Sequence, residues 1–415
     1  MDTLRRMNMK QLTGVYTGAT IYATNLEEEA LKQIQTLIDN PISEGSKICM
    51  MPDAHAGKGC TIGTTMTIAD RVCPNLVGVD IGCGVLCVKL IDVKKEDLDL
   101  VEVDRKIRSV IPLGFNTNDK EPEWCTDIVH KLLNKLTCKD EIENIDRIYK
   151  SVGSLGGGNH YIELNEDSEG HIYLVVHTGS RSLGQQVAKH HQKIAEHEMM
   201  KRYEEDKKRV VEEALAQDEM LIEEYIAKHR VHKPTKADLD LACLTGDLMK
   251  DYLKDMAITQ EYASINRSDI AAGIIEVLGI DGQVEAFESV HNYIDLEHGI
   301  LRKGAISARE GEHVIIPLNM RDGSILAVGK GNPDWNYSAP HGAGRIMSRK
   351  KAQETLNVED FKRTMNEAGV FTTSVSKRTL DEAPFVYKNP NDILNAVGDT
   401  LDIIEVIKPI YNLKG

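Results

Sequence analysis

The sequence predicts an α+β fold carrying a helical insertion, on three observations. Short β-branched runs alternate with glycine-rich turns over residues 1 to 180, a Glu-, Lys- and Ala-rich stretch poor in turn formers follows Gly184, and strand texture returns from Val284. In chain order, residues 48 to 51, 85 to 90 and 172 to 176 read as strands ending in loops, with helical spacing and charge at 94 to 110 and 126 to 149. From 185 to about 229 the apolar residues Val211, Leu215, Ile222 and Ile226 recur as on a helix face, and His232-Lys233-Pro234-Thr235 stops the run. A second helical run, about 238 to 272, sets Leu241, Leu244, Leu248, Tyr252 and Met256 on one face. Residues 314 to 317 and 324 to 328 read as strands, 342 to 355 and 358 to 368 as helices, and about 389 to 407 as a C-terminal helix. No internal repeat or low-complexity linker divides the chain, so one domain over 1–415 with a helical insertion at 185–275 is expected.

The composition bounds the function. The chain has 415 residues, 65 acidic against 50 basic, and a net charge of -15, which argues against a general nucleic-acid binder. With 41% hydrophobic and 28% charged residues and no uninterrupted apolar stretch of membrane-spanning length, membrane and disordered classes are excluded. The N-terminus places no apolar block behind its arginines, so a cytoplasmic protein is expected. Eight cysteines are dilute in so long a chain and read as thiols or ligands.

Four blocks carry chemistry. Gly78-Val79-Asp80-Ile81-Gly82-Cys83-Gly84 puts a carboxylate and a thiol three residues apart in a loop free to bend. By itself this is either a metal-ligand pair or a packed cysteine in a glycine turn. Gly156-Gly157-Gly158-Asn159-His160-Tyr161-Ile162-Glu163 follows a triple glycine, whose amides suit an anion, with a His and a Glu. The strand ending at His177 runs into Thr178-Gly179-Ser180-Arg181, a ligand beside a phosphate-binding arginine, and His291-Asn292 stands where strand texture resumes. His190, His191, His197, His229 and His232 lie in the charged helical stretch and are expected to face water. The last block, Pro340-His341-Gly342-Ala343-Gly344-Arg345 through Arg349, places a histidine before a helix whose Arg345 and Arg349, four apart, share a face. A phosphoryl- or nucleotidyl-accepting histidine explains it better than a capped helix with a solvated basic face.

Together with Met51-Pro52-Asp53-Ala54-His55-Ala56-Gly57-Lys58-Gly59 and the terminal Lys414-Gly415, these blocks resemble the RtcB family of RNA ligases along the whole chain. The resemblance implies a fold with β-sheets around a dinuclear metal cleft. It also implies a ligase that joins RNA 3′-phosphate or 2′,3′-cyclic phosphate ends to 5′-hydroxyl ends, using GTP and two Mn²⁺ ions, in tRNA splicing or RNA repair. One metal falls to Asp80, Cys83 and His160 and the other to Cys83, His177 and His291, the shared thiolate bridging. His341 is the residue that becomes guanylylated, passing GMP to the RNA 3′-phosphate before the 5′-hydroxyl attacks; Asp53 assists it, and Arg181, Arg345 and Arg349 bind phosphates. The guanosine-binding positions are Asn159, His160, Tyr161, Ile162, Glu163, His291, Asn292, Pro317, Leu318, Asn319, Met320, Ser324, His341, Gly342, Ala343, Gly344 and Lys414. RNA ends and GTP are the implied partners, with archease an optional one, no membrane, and a monomer expected.

The chain departs from the family where many members read Pro-Gly-Ser-Met-Gly: here it has Pro317-Leu318-Asn319-Met320-Arg321-Asp322, and Leu318 and Arg321 do not freely adopt positive φ. Altered guanine contacts follow as an expectation, and a paralogue that caps 3′-phosphate ends without sealing is the alternative reading. A metal-dependent RNA-binding protein without turnover ranks below both, since nucleophile and ligands are intact. Arg302, Lys303, Arg309 and the block 345 to 351 are expected to supply local positive charge on an acidic molecule.

Overall fold

The computed structural model describes residues 10–57, 59–216, 229 and 231–415; Lys58, Ile222 and Ile226 lie outside them. Two sheets dominate. The first has six strands in the spatial order Lys10–Thr13, Gly18–Ile21, Ile48–His55, Ile62–Thr67, Ile300–Lys303 and Asn292–Asp295. The second has seven, antiparallel throughout, in the order Val284–Val290, Gly84–Leu90, Ile172–Thr178, Tyr161–Glu166, Leu401–Lys414, Gly323–Gly329 and His313–Asn319.

Alternation explains why the central strands of the second sheet read as continuous apolar runs. Leu86, Val88, Leu90, Leu174 and Val176 pack against Ile107, Ile270 and Ile274 of two helices, whereas Val85, Cys87 and Val175 pack with Ile315, Leu326 and Ile407 on the opposite face. The chain passes from the second sheet to the first at a single residue, His291, between the strands Val284–Val290 and Asn292–Asp295. Its amide donates to the Cys83 carbonyl (2.9 Å) and its carbonyl accepts from the Gly304 amide (2.7 Å), which ties the two sheets together at that point.

Two long helices, Arg181–Leu215 and Gly246–Leu278, pack on each other, and the second also packs on the second sheet. Their seam holds a buried polar pin. Asp255 accepts from the Thr137 amide (2.7 Å), the Thr137 hydroxyl (2.6 Å), the Cys138 amide (3.1 Å) and His191 Nε2 (2.9 Å). His191 is therefore buried, contrary to expectation, while His190 is half-buried and His197, His229 and His232 are exposed. No helix among the described residues is long and apolar enough to cross a membrane.

Five segments differ from the sequence expectation, each for a tertiary reason. The helix of 126 to 149 breaks into short turns and the helix Ile145–Lys150, because the amides at 137 and 138 are turned toward Asp255. The helix of 238 to 272 is a short Lys236–Asp240 turn followed by a new start at Gly246, since Leu244–Thr245 pairs as a strand with Arg71–Val72. The first long helix buries Val210 and Ala214, leaving Leu215 exposed. The helix of 342 to 355 begins only at Arg349, capped by the Ser348 hydroxyl; before it, the chain pairs with 386 to 388 through Ile346 N to Val386 O (2.8 Å) and Lys388 N to Gly344 O (3.0 Å). Arg345 and Arg349 thus share no helix face. The C-terminal helix spans only Pro390–Ala396, and Leu401–Lys414 is a strand inside the second sheet, where Ile403, Ile404, Val406, Ile407 and Ile410 satisfy β rather than α preference.

Candidate metal and nucleotide site

Cys83, His160, His177 and His291 converge, with Asp80, where the sheets meet. Cys83 ends the turn that feeds the strand Gly84–Leu90; the next strand over carries His177, paired across with Val85 on one side and Tyr161 on the other. His160 precedes Tyr161 directly. The ligand atoms of Asp80, Cys83 and His160 lie within 4.8 Å of one another, as do those of Cys83, His177 and His291, so the two triads share one sulfur. Cys83 Sγ is 3.4 Å from His177 Nε2 and 3.7 Å from His160 Nε2. These separations bracket the ~3.6 Å between sulfur and nitrogen ligands of one tetrahedral divalent ion.

Neighbouring groups fix the donors. His160 Nδ1 donates to the Leu155 carbonyl (3.0 Å), which also accepts from the Thr178 hydroxyl (2.6 Å), so Nε2 is left toward Cys83 and Asp80 Oδ2 (3.4 Å). Gly179 makes room for Asp80: a Cβ there would come 2.2 Å from Oδ1. Buried Arg267, which nothing in its helical sequence context marked, braces the loop by donating to the carbonyls of Gly82 (2.8 Å) and Thr178 (2.7 Å). Burial first, then neighbouring cationic groups, holds the His177 and His291 imidazoles far below their ordinary range, in the neutral form a metal requires. Burial and the Asp80 charge push the Cys83 thiol well up, so a cation is what would favour its thiolate. Nδ1 of His177 and of His291 are buried with no hydrogen-bond partner among the described residues, and the thiol, imidazole and carboxylate donors together fit borderline divalent cations.

His341 stands next to this cluster, its ring centroid 4.9 Å from that of His291. Its Nδ1 is 2.7 Å from Oδ2 of fully buried Asp53, which also accepts from the His341 amide (3.2 Å). Asp53 is available because Pro52 interrupts pairing of its strand, whose register slips between Met50 and His55. Gly344, at φ +73°, lies so close to the Asp53 backbone that a Cβ would come 2.3 Å from its carbonyl oxygen.

His341 lines a cavity of about 640 Å³, within the range of small-molecule sites. Asn159, Tyr161, Glu163, Pro317, Leu318, Asn319, Met320, Gly342, Ala343, Gly344, Arg345, Arg349 and Lys414 line it too. Other expected positions do not. Ile162 points away from Tyr161 and Glu163 into the core, as strand alternation demands. Asn292 bridges the Asp80 carbonyl and the Gly304 amide, and Ser324 is buried behind the cavity wall. Arg181 donates to Ser154 Oγ (3.1 Å) and the Gly114 carbonyl (3.0 Å) behind the Gly156 turn.

The 317–322 turn closes without the anticipated strain. Asn319 Oδ1 accepts from the amides of Arg321 (3.0 Å) and Asp322 (2.9 Å), and the positive φ falls on Gly323, at +84°. Burial pushes the Glu163 carboxyl up to about 7, against donation from Asn412 (2.7 Å) and the Lys414 charge.

Glu27, His55, Glu382 and Tyr387 also line the cavity, and sequence reasoning gave none of them a role. Glu382 and Tyr387 lie in Asp381-Glu382-Ala383-Pro384-Phe385-Val386-Tyr387, where no periodicity or ligand spacing marks them. Burial would raise the Glu382 carboxyl, but Lys414, Arg349 and Arg345 outweigh it and hold it below the usual range. Arg302, Lys303 and Arg309, expected as local positive charge, are committed internally: Arg302 to Ser338 (2.9 Å), Lys303 to the Asn75 carbonyl (3.0 Å) and Arg309 to Asp295 (3.1 Å).

A family model described as tRNA-splicing ligase RtcB matches residues 33–415. The RNA-splicing ligase RtcB of Escherichia coli strain K12 is 29% identical over 415 residues, covering 89% of this chain and 90% of that protein. RNA-splicing ligase RtcB1 of a second Escherichia coli strain matches with the same identity and coverage. With the family model spanning nearly the whole chain, the protein belongs to the RtcB family of tRNA-splicing ligases.

Proposed function

We propose that the protein is a GTP- and Mn²⁺-dependent RNA ligase that joins 3′-phosphate or 2′,3′-cyclic phosphate ends to 5′-hydroxyl ends through a guanylylated His341. The observation that carries this reading is the 2.7 Å contact of His341 Nδ1 with buried Asp53, at the wall of the cavity and beside His291. Asp53 accepts only, so Nδ1 carries the proton and the attacking lone pair belongs to Nε2. Asp53 also stabilises the positive charge that grows on the ring as Nε2 bonds to the GTP α-phosphorus and pyrophosphate leaves.

Asp80, Cys83, His160, His177 and His291 would hold the divalent cations, which neutralise charge on phosphoryl oxygens when bound. Arg349 sits over the glycine loop, about 4.0 Å from where a Cβ of Gly158 would be, and with Arg345 provides for phosphate oxygens. Tyr161, Pro317, Leu318, Met320 and Tyr387 offer apolar surface for a base, and the Glu163 carboxylate accepts from the N1–H and N2–H donors that guanine has and adenine lacks as a pair. A capping-only enzyme, the alternative that the altered 317–322 turn motivates, would label with GTP but give no longer RNA product.

The test is self-labelling with α-phosphate-labelled GTP and Mn²⁺, followed by supply of 3′-phosphate and 5′-hydroxyl RNA. Covalent label on the wild type, none on His341→Ala, and a longer RNA product are expected; a labelled His341→Ala protein defeats the assignment.

A further inference from the structure

Glu382 is the most heavily used side chain of the cavity, and no ligand-binding pattern includes it. Its Oε2 accepts from Tyr387 OH (2.7 Å) and Lys414 Nζ (3.1 Å) and its Oε1 from Arg345 Nη1 (3.3 Å), while Arg349, which donates to Asp381 Oδ2 (2.9 Å), forms an ion pair with Oε1 at 3.3 Å. Three hydrogen bonds and an ion pair thus commit this carboxylate to groups of the protein itself. Glu382 must therefore act through its partners. All four partners line the cavity, and they arrive from distant segments: Arg345 and Arg349 beyond the nucleophile, Tyr387 beyond a proline turn, Lys414 at the end of a 14-residue strand.

We propose that Glu382 is a positioning residue that holds Lys414 and Tyr387 in place for the nucleotide base and draws Arg345 and Arg349 to one wall for its phosphates; this rests on the guanylylation reading above. Lys414 is the most dependent partner. The side chains of Lys414 and Glu382 are 5% and 2% exposed. The ammonium spends one N–H on Glu382 and another on the Asn159 carbonyl (3.3 Å), and it lies 4.9 Å over the Tyr161 ring. Its third N–H remains for a ligand, in a direction set by the first two. A buried lysine deprived of its anion is no longer held in one direction, and the contact is lost.

The test is a double-mutant cycle on GTP self-labelling with Glu382→Gln, Lys414→Met and the pair. Each single variant is expected to raise the KM for GTP about tenfold or more while the maximal labelling rate at saturating GTP changes little, because Asp53 and His341 are untouched. The pair is expected to lose less than the sum of the two single effects, because the Lys414 contribution is shared between them, and Glu382→Asp, which retains the charge, to recover part of the loss. Additive effects, an unchanged KM in Glu382→Gln, or a parallel fall in rate and thermal stability without a KM effect would each overturn the proposal. If Glu382→Gln does not fold, Glu382→Asp carries the cycle under the same criteria. A folded wild type that labels with no nucleotide defeats the guanylylation reading itself and takes this proposal with it.

Discussion

His341 and Glu163 show how single environments select chemistry. Asp53 commits one ring nitrogen of His341 and leaves the other for the proposed attack on GTP; the His341→Ala labelling experiment is the most direct check of that proposal. Glu163 supplies a pH dependence. Burial raises its carboxyl to about 7, so its acceptor form accumulates as pH rises through neutrality. GTP affinity measured by calorimetry is expected to be about tenfold weaker at pH 6 than at pH 8, with Glu163→Gln weak and flat across the range. Cys83 serves both triads whereas Asp80 serves one, so Cys83→Ala is expected to lose more bound Mn²⁺ than Asp80→Ala. Elemental analysis of the two purified variants reads the difference directly, and equal retention would remove the bridging role.

At the scale of elements, the two long helices owe their seam to Asp255 more than to periodicity. Replacing it with Asn leaves His191 and the 137–138 amides imperfectly paired in a dry environment, and a loss of about 3 kcal/mol is expected by chemical denaturation. Burial raises the Asp255 carboxyl, but donation from His191 and Thr137 outweighs it and holds the group at about 2. A carboxyl depressed in the folded state stabilises above its unfolded value near 4 and loses that contribution as pH falls toward 2. Wild-type stability should therefore drop more steeply than that of Asp255→Asn between about pH 4 and pH 2. The strand Leu401–Lys414 makes the same point for the site: its first half, expected to be helical up to about 407, is extended, and as a strand between two neighbours it delivers Lys414 to Glu382.

Over the whole molecule the net charge is -15, and Arg302, Lys303 and Arg309 beside the site are used internally. Arg345 and Arg349 are themselves balanced by Asp381 and Glu382. On the proposed function, RNA recognition is expected to concentrate on the terminal phosphate, with two behaviours in fluorescence anisotropy with a single-stranded oligonucleotide. The logarithmic salt slope should be no steeper than about -2, as for two or three phosphates neutralised. A 3′-phosphate strand should bind about tenfold or more tightly than its 3′-hydroxyl counterpart, and equal binding with a steep slope would point to a groove along the backbone instead.

The sequence by itself determined the chemical inventory and the central strands. Asp80, Cys83, His160, His177, His291 and His341 were legible because glycine-rich turns and strand ends flanked residue types with few other reasons to be there, and residues 85 to 90 and 172 to 176 because apolar β-branched runs are a local signal. Tertiary structure alone decided the rest. Hydrogen bonds from residues far away in the chain redirected the segments at 126 to 149, 342 to 348 and 401 to 414, and local propensity holds no record of such partners. Glu382 and Asp255 escaped sequence reading for the same physical reason: a buried carboxylate is defined by the donors that surround it, and those donors meet only when the chain has folded.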